Sequence, residues 1–271
     1  MDLSIVILNY KQMNFIISCL KSITESNFFI RGRELDFEVI VVDNNSNDDI
    51  GKFLICQYPE VKFIQNKKNI GMGAGNNIGI KEATGDYIVV MNPDTIVFED
   101  TFKQLYCFME ENKHVGVVGP KQLNTDKTIQ NSCYRWPKPL IPIYRRTPIG
   151  NIKFARREID RYLMKDFDHE SCQSVDWLLG SFLFMRAAAI ERIGAFDERF
   201  FMYFEDTDLC QRFWKFNWKV IYYPEAVILH NHNRHSAQTA WYNFFSNKAS
   251  MIHILSWVKY LLKWPTNYSL R

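Results

Sequence analysis

The sequence predicts an α/β protein whose first half builds a doubly wound, mainly parallel sheet. Three observations lead there. Residues 4–8 (SIVIL) and 87–91 (YIVVM) are continuous apolar runs of strand length, the pattern of strands covered on both faces. Segments with helix-face spacing stand between such runs, so strand and helix alternate. Asn- and Asp-rich residues follow each strand, at the sheet edge where open α/β folds bind ligands.

After the first strand, Phe15, Ile16, Cys19, Leu20 and Ile23 share one helical face. Residues 37–42 read as the second strand and 48–56 as a helix. A third strand over 61–64 leads into a helix over 74–83, and a fourth over 87–91 into a helix over 101–111. Beyond about residue 120 the alternation weakens. A strand is expected over 128–136, followed by a basic, proline-containing stretch (137–172) with Arg145, Arg146, Arg156 and Arg157. Strand-like residues 175–185, a short helix over 187–193, an acid-led helix over 204–216 and a strand over 218–223 come next. An amphipathic helical region starts near Trp241. With no internal repeat and no low-complexity linker, one mixed domain with a C-terminal appendage is the simplest organisation.

Composition narrows the class. The 271 residues are 47% hydrophobic and 15% aromatic, with only 12 Gly and 9 Pro, which excludes a disordered or collagen-like chain. A net charge of +3, from 33 basic and 30 acidic residues, gives no reason to expect nucleic-acid binding. The six cysteines form no CxxC pair, so a zinc knuckle or thioredoxin-like site is not expected, and reduced thiols are. The N-terminal MDLSIVILNYK lacks the basic region and cleavage site of a signal peptide. The apolar stretch 241–262 is interrupted by Asn243, Ser246, Asn247, Lys248, His253 and Lys259, which argues against a spanning helix. A cytoplasmic protein, soluble or peripherally attached at the inner face of the membrane, is the expectation.

Four loops converge on the ligand edge: Asn9-Tyr10, Asp43 to Ser46, Asn66 to Asn69, and Asn92-Pro93-Asp94. A carboxylate directly after a buried strand suits a hard divalent cation bridging protein and phosphate oxygens, although Asp94 in a proline turn also serves as a helix cap. The glycines of residues 69–79 let backbone approach a ligand, and the helix that follows aims its N-terminus at anions. No acidic ribose ligand follows at dinucleotide-fold spacing. Glu205, Asp206 and Asp208 stand among bulky aromatics at a helix start. They suit the helix dipole there, and a carboxylate enclosed by aromatics also serves as a general base. His230, His232 and His235 follow an apolar strand, where they are either solvated or reach a metal.

Together these blocks resemble the family-2 glycosyltransferases, which have the GT-A fold, and their rhamnosyltransferase-like members most. The likeness covers residues 3–236. It rests on Val41 to Ser46, Asn69 to Gly79, Asn92-Pro93-Asp94, Gly180-Ser181, Ile193 to Glu198, Phe201 to Asp206, Asp208-Leu209 with Arg212, Tyr223 to Ala226, and His230. The resemblance implies a GT-A domain over 1–240, with a nucleotide-sugar-binding half (about 1–115) and an acceptor and catalytic half (116–240). A C-terminal amphipathic helical segment (241–271) would follow. By the same likeness Asn9, Tyr10 and Asp43 hold the nucleotide base, while Asn69, Gly71 and Asn77 lie against the nucleotide. Asp94 closes the metal motif beside Asn92, where many relatives carry a further Asp. Asp206 is the catalytic base, and His230 or His232 completes the metal and diphosphate site. Trp177, Gly180, Ser181 and Glu205 are assigned to the acceptor or sugar pocket.

The resemblance further implies an inverting transfer from a nucleotide-diphospho-sugar, dTDP-rhamnose ahead of a UDP-sugar, assisted by Mg²⁺ or Mn²⁺. The acceptor would be a glycan or lipid-linked hydroxyl in cell-surface polysaccharide synthesis. Two other classes compete. A nucleotidyltransferase would carry a Gly-rich basic loop where this chain has Leu8-Asn9-Tyr10-Lys11. A non-catalytic carbohydrate- or nucleotide-binding module would have no need of both Asp94 and Asp206. The C-terminal segment either packs on the domain or on a second subunit of a homodimer, or lies on a membrane with Lys248, Lys259 and Lys263 toward the lipid.

Overall fold

The computed structural model describes residues 1–231 and 247–265. His232, His235, Trp241, Phe244 and Phe245 lie outside the described residues. In chain order the first half comprises β1 (Leu3–Asn9), α1 (Met13–Thr24), a small hairpin of β2 (Phe29–Ile30) and β3 (Arg33–Glu34), β4 (Phe37–Asp43), α2 (Ile50–Gln57), β5 (Lys62–Gln65), α3 (Met72–Glu82), β6 (Tyr87–Met91), β7 (Thr95–Val97) and α4 (Thr101–Glu111). Then come β8 (Val115–Leu123), β9 (Ile129–Gln130), β10 (Cys133–Tyr134), α5 (Ile141–Tyr144), a 3₁₀ turn (Pro148–Asn151) and α6 (Lys153–Tyr162). The last group is β11 (Gln173–Ser174), β12 (Trp177–Leu178), β13 (Phe182–Arg186), α7 (Ala187–Ile193), α8 (Glu205–Lys215), β14 (Lys219–His230) and α9 (Lys248–Lys263).

Among the described residues ten strands share one mixed sheet, in the order β11-β14-β8-β13-β6-β1-β4-β5, with β7 on β14 and β9 on β8. The expected alternation produces the parallel neighbours β5, β4, β1 and β6. Beyond β6, β13 runs antiparallel between β6 and β8, and β14 returns parallel to β8. The apolar strands are covered on both sides, as their composition requires. Leu3, Ile5 and Ile7 of β1 face the core under α1 and α4, whereas Val6 faces the opposite core with Ile80, Leu209 and Phe213. The register sets Asn9 opposite Asp43 and Asp43 opposite Gln65, so the carboxyl ends of the parallel strands line up along one edge.

Three departures from the sequence expectation have physical causes. β8 is a long buried strand whose signal is broken by Gly116, Gly119 and Pro120. A Cβ on Gly116 would lie 2.5 Å from Phe213, and one on Gly119 would lie 2.9 Å from Leu178, so packing against these side chains demands glycine. The expected strand over 128–136 is split into β9 and β10, and the apolar run 175–185 into β12 and β13, with Gly180-Ser181 turning between the latter. The basic stretch contains α6, a short helix that presents Ala155, Ile159 and Tyr162 inward and its charges outward.

α9 packs on the domain. Ser256 Oγ donates to the Met202 carbonyl (2.8 Å), Lys259 Nζ to the Arg199 carbonyl (2.7 Å) and Trp264 Nε1 to Asp208 Oδ1 (2.8 Å). Lys263 pairs with both Asp197 and Asp208. Two of the three lysines considered for a lipid surface are therefore committed to the protein. No helix among the described residues is long and apolar enough to cross a membrane.

α3 lies unusually close to the sheet because Gly75 and Gly79 face it. A Cβ on Gly79 would stand 2.3 Å from Val6 Cγ1, a stiff side chain on a buried strand. Gly79→Ala gains up to about 1 kcal/mol of helix propensity but overpacks the interface by about 1–3 kcal/mol. We expect net destabilisation, read as a lower denaturant midpoint. An unchanged or raised midpoint would mean that α3 can lift from the sheet without loss.

Candidate active site

The polar edge of the sheet is built from the ends of β1, β4 and β5. Asn9 Nδ2 donates to Asp43 Oδ1 (2.9 Å) and Ser46 Oγ (3.1 Å), and the Ser46 N–H donates to Asp43 Oδ2 (2.9 Å). Asn9 and Asp43 are fully buried, so they form the floor of this edge, while Tyr10 stands at the surface. Asn44 Nδ2 donates to Asn69 Oδ1 and to the Gly71 carbonyl (3.0 Å each), joining the second and third loops. Asn69 Oδ1 also accepts the Gly71 N–H at 2.9 Å.

The Gly-rich segment then meets the loop before α8. Gly71 has φ +96°, and the Met72 N–H donates to the Phe201 carbonyl (2.6 Å); a Cβ on Gly71 would overlap Phe201. Asn77 does not face this edge freely. Its amide donates to the Phe196 carbonyl (2.8 Å) and accepts the Phe196 N–H (2.9 Å), clamping α3 to the segment before Phe200.

At the end of β6, the Asn92 N–H donates to the Ser181 carbonyl (2.9 Å) and the Asn231 N–H to the Asp94 carbonyl (2.9 Å). Thr95 pairs with His230 across β7 and β14, and so Asp94 and His230 come together, with His230 Nε2 3.4 Å from Asp94 Oδ1. Asp94 Oδ1 is buried with no hydrogen-bond partner among the described residues. His230 Nδ1 lies 2.6 Å from Gln130 Oε1, whose amide Nε2 donates to Asn124 Oδ1 at 2.8 Å. A carbonyl oxygen can only accept, so Nδ1 donates to it and Nε2 faces Asp94. An imidazole beside an orphaned carboxylate oxygen fits a divalent cation, with the remaining positions left to water and diphosphate oxygens. No group of three or more His, Cys, Asp or Glu side chains gathers for a metal among the described residues.

Asp206 occupies the first turn of α8. The Gly180 N–H donates to its Oδ2 (2.9 Å) and the Thr207 N–H to its Oδ1 (2.7 Å). The turn that presents it is strained, since Tyr203 and Phe204 both adopt left-handed backbone, with φ of 71° and 69°. Burial pushes the carboxyls of Asp206 and Glu205 upward, and the charge of Asp206 pushes Glu205 further. Glu205 Oε2 has no hydrogen-bond partner whereas Asp206 accepts several donors, so Asp206 is the charged member and Glu205 holds the proton.

One cavity of about 600 Å³ has Asn92, His230, Ser181 and Asp206 on its walls, whereas Asn9, Tyr10, Asp43, Asn69 and Gly71 do not line it. Trp177 lines it too, stacked on Tyr134 with centroids 4.3 Å apart. Gln130, Arg145, Arg146 and His253 are also among its lining residues, and the sequence assigns them no role. Gln130 gave no signal, because its partner lies 100 residues away. Arg145 and Arg146 were visible only as part of a basic stretch, and His253 as an interruption of an apolar one.

Comparison with known proteins identifies the family that has this fold and these motifs. The family model for glycosyl transferase family 2 matches residues 4–168, and the chain belongs to that family. It is 28% identical over 222 residues to the N-acetylglucosaminyl-diphospho-decaprenol L-rhamnosyltransferase of Mycobacterium tuberculosis, covering 75% of this chain and 69% of that protein. It is 27% identical over 237 residues to the rhamnosyltransferase WbbL of Escherichia coli K12, covering 84% and 83%. Among solved structures, GalNAc-T7 with UDP, GalNAc and Mn²⁺ superposes with a TM-score of 0.67 at 14% identity, over 96% of this chain and 47% of that one. S. aureus TarS 1-349 with UDP-GlcNAc gives 0.58 at 17%, over 88% and 60%. These likenesses establish the GT-A fold.

The Glu205 assignment has a pH consequence. Its carboxyl, at 4.5 in an open chain, is raised to about 8 in the folded protein, chiefly by burial. Between those values the unfolded chain has released a proton that the folded one keeps, so this group's contribution to stability falls as pH rises from about 4.5 to about 8. Glu205→Gln should flatten that part of the melting-temperature profile. Identical slopes in the two proteins would mean that Glu205 is ionised when folded.

Proposed function

We propose that the chain is an inverting glycosyltransferase that moves a sugar, rhamnose from dTDP-rhamnose ahead of a UDP-linked sugar, to a hydroxyl of a lipid-linked glycan acceptor. The observation that carries this is the placement of Asp206. A buried carboxylate, oriented by the Gly180 and Thr207 amides, shares one cavity with His230, the partner of Asp94. Rhamnosyl transfer is favoured by the rhamnosyltransferase relatives, and a lipid-linked acceptor by the decaprenol-linked substrate in the name of one of them. Synthesis of a cell-surface polysaccharide, at the cytoplasmic face of the membrane, is the setting this implies.

In this mechanism Asp206 takes the proton from the acceptor hydroxyl as its oxygen attacks the anomeric carbon from the face opposite the leaving diphosphate. The configuration inverts in a single displacement. Protonated Glu205 keeps a second negative charge away from that base. Asp94 and His230 would hold Mg²⁺ or Mn²⁺, with Gln130 fixing the imidazole; the ion supplies positive charge for the departing diphosphate oxygens. The Asn9–Asp43–Ser46 floor and Tyr10 take the nucleotide base, and Asn69 and Gly71 lie along the nucleotide. Trp177, Gly180 and Ser181 border the sugars.

Base catalysis of this kind contributes about 10²–10⁴ in rate. Asp206→Asn should therefore lower transfer by that factor while donor-nucleotide affinity stays within a few-fold. Transfer at the normal rate by that variant would remove Asp206 from the base role. Gln130→Leu should weaken Mn²⁺ binding by roughly 10–100-fold, as loss of a ligand-orienting partner does elsewhere. Calorimetric titration of Mn²⁺ checks this, and Asp94→Ala should abolish the metal dependence of nucleotide binding in the same assay. Equal affinity with and without metal in the unaltered protein would count against a metal site.

A further inference from the structure

The cavity continues past the base into a region with a different charge. Of its lining residues the acids are Glu205 and Asp206, both on α8, while Arg145 and Arg146, just after α5, and His253 on α9 are basic. Neighbouring cations of the same segment are matched with carboxylates: Lys138 and Arg161 with Glu158, and Arg156 and Lys165 with Asp160. Arg145 has no carboxylate within ion-pair distance among the described residues. It is exposed, with its guanidinium 5.3 Å from the Tyr162 ring centre.

The geometry points to an anion subsite formed by Arg145, Arg146 and His253 that takes the diphosphate of a lipid-linked acceptor, an inference that rests on the transferase function proposed above. Two adjacent guanidinium groups repel each other, and burial, aided by their joint field, holds His253 neutral, its imidazole well below the usual range at about 3. His253 Nδ1 is buried without a hydrogen-bond partner. A diphosphate would relieve the repulsion, accept several guanidinium N–H bonds and reverse the field on the imidazole.

The cavity that holds Arg145 also holds Tyr162, Trp177 and Asp206, and an acceptor sugar would lie between the anion subsite and the base. Ile143, Ile149 and Ile152, exposed on the same segment, offer an apolar exit for the lipid. The tight turn after α5 is fixed by Gly150, where a Cβ would overlap the Tyr144 carbonyl.

Calorimetry with geranyl diphosphate in EDTA tests the subsite apart from any metal-bound nucleotide site. The unaltered protein should bind it more tightly than geraniol or inorganic pyrophosphate. Arg145→Gln/Arg146→Gln should weaken it at least tenfold, and Arg157→Gln, an exposed cation of α6 outside the cavity lining, should not. Should the double variant melt early, Arg145→Gln alone, on an exposed side chain, gives the readable loss. The nucleotides dTDP and UDP, titrated with Mn²⁺, should bind all variants within twofold of the unaltered protein. No binding of geranyl diphosphate, equal binding by the double variant, or a matching loss of nucleotide affinity would each overturn the subsite, the last by assigning the arginines to the donor. Binding to phosphatidylglycerol vesicles without binding to geranyl diphosphate would overturn it as surface adsorption. If geranyl diphosphate binds as expected while neither nucleotide binds the unaltered protein, the transferase proposal falls and the anion subsite stands.

Discussion

The contact between Gly71 and Phe201 joins the two halves of the site. On one side, the Asn69–Asn44 network ties Gly71 to the ends of β1 and β4. On the other, Phe201 leads directly into the two left-handed residues that start α8 and deliver Asp206. A side chain at position 71 would occupy the space of the Phe201 backbone, and no L-residue adopts a φ near +96° comfortably. The Asn77 clamp on Phe196 makes a second attachment five residues upstream of Phe201. The strand-end loops and Asp206 are thus tied together through direct backbone and side-chain contacts rather than as two loops meeting by chance.

The three acids that open α8 look equivalent in sequence, yet each has its own fate. Asp208 is fully buried and neutralised by Arg212 at 2.9 Å and Lys263 at 2.6 Å, with Trp264 donating as well. That is the dipole-and-ion-pair role a first helical turn ordinarily provides. Asp206 is met by backbone and side-chain donors but no cation, so it keeps charge and basicity together. Glu205 is left without a donor for Oε2 and keeps its proton. Partner chemistry rather than position along the helix separates the ion-paired acid from the two that face the cavity.

This explains how far the sequence could be read. Strands buried on both faces announce themselves by composition, and the polar loops at their ends follow from the register, so the strands and the polar edge they share were legible. β8 was hidden because the residues that let it pack, Gly116 and Gly119, are the ones that erase a strand signal. The Asp94–His230 pairing depends on β7 folding back on β14, a contact that no local pattern encodes. Gln130 and His253 acquire meaning only through neighbours 100 and about 50 residues away, His230 and the pair Tyr203 and Phe204. Family resemblance supplied Asp206 and His230, but it is silent on the partners that set their protonation.

α9 looks at first like an appendage, since Met251, Leu255, Val258 and Leu262 leave an apolar stripe facing outward. Its inner face is otherwise engaged. His253 packs against Tyr203 and Phe204, Tyr260 against Phe204, and Trp264 closes over Asp208. The functional unit therefore extends through residue 264 as a matter of packing, even though the family model ends at residue 168. Modular thinking fails at this point. A graft that exchanged the tail for another helix of equal length and hydrophobicity would also exchange one wall of the cavity and the brace behind the base.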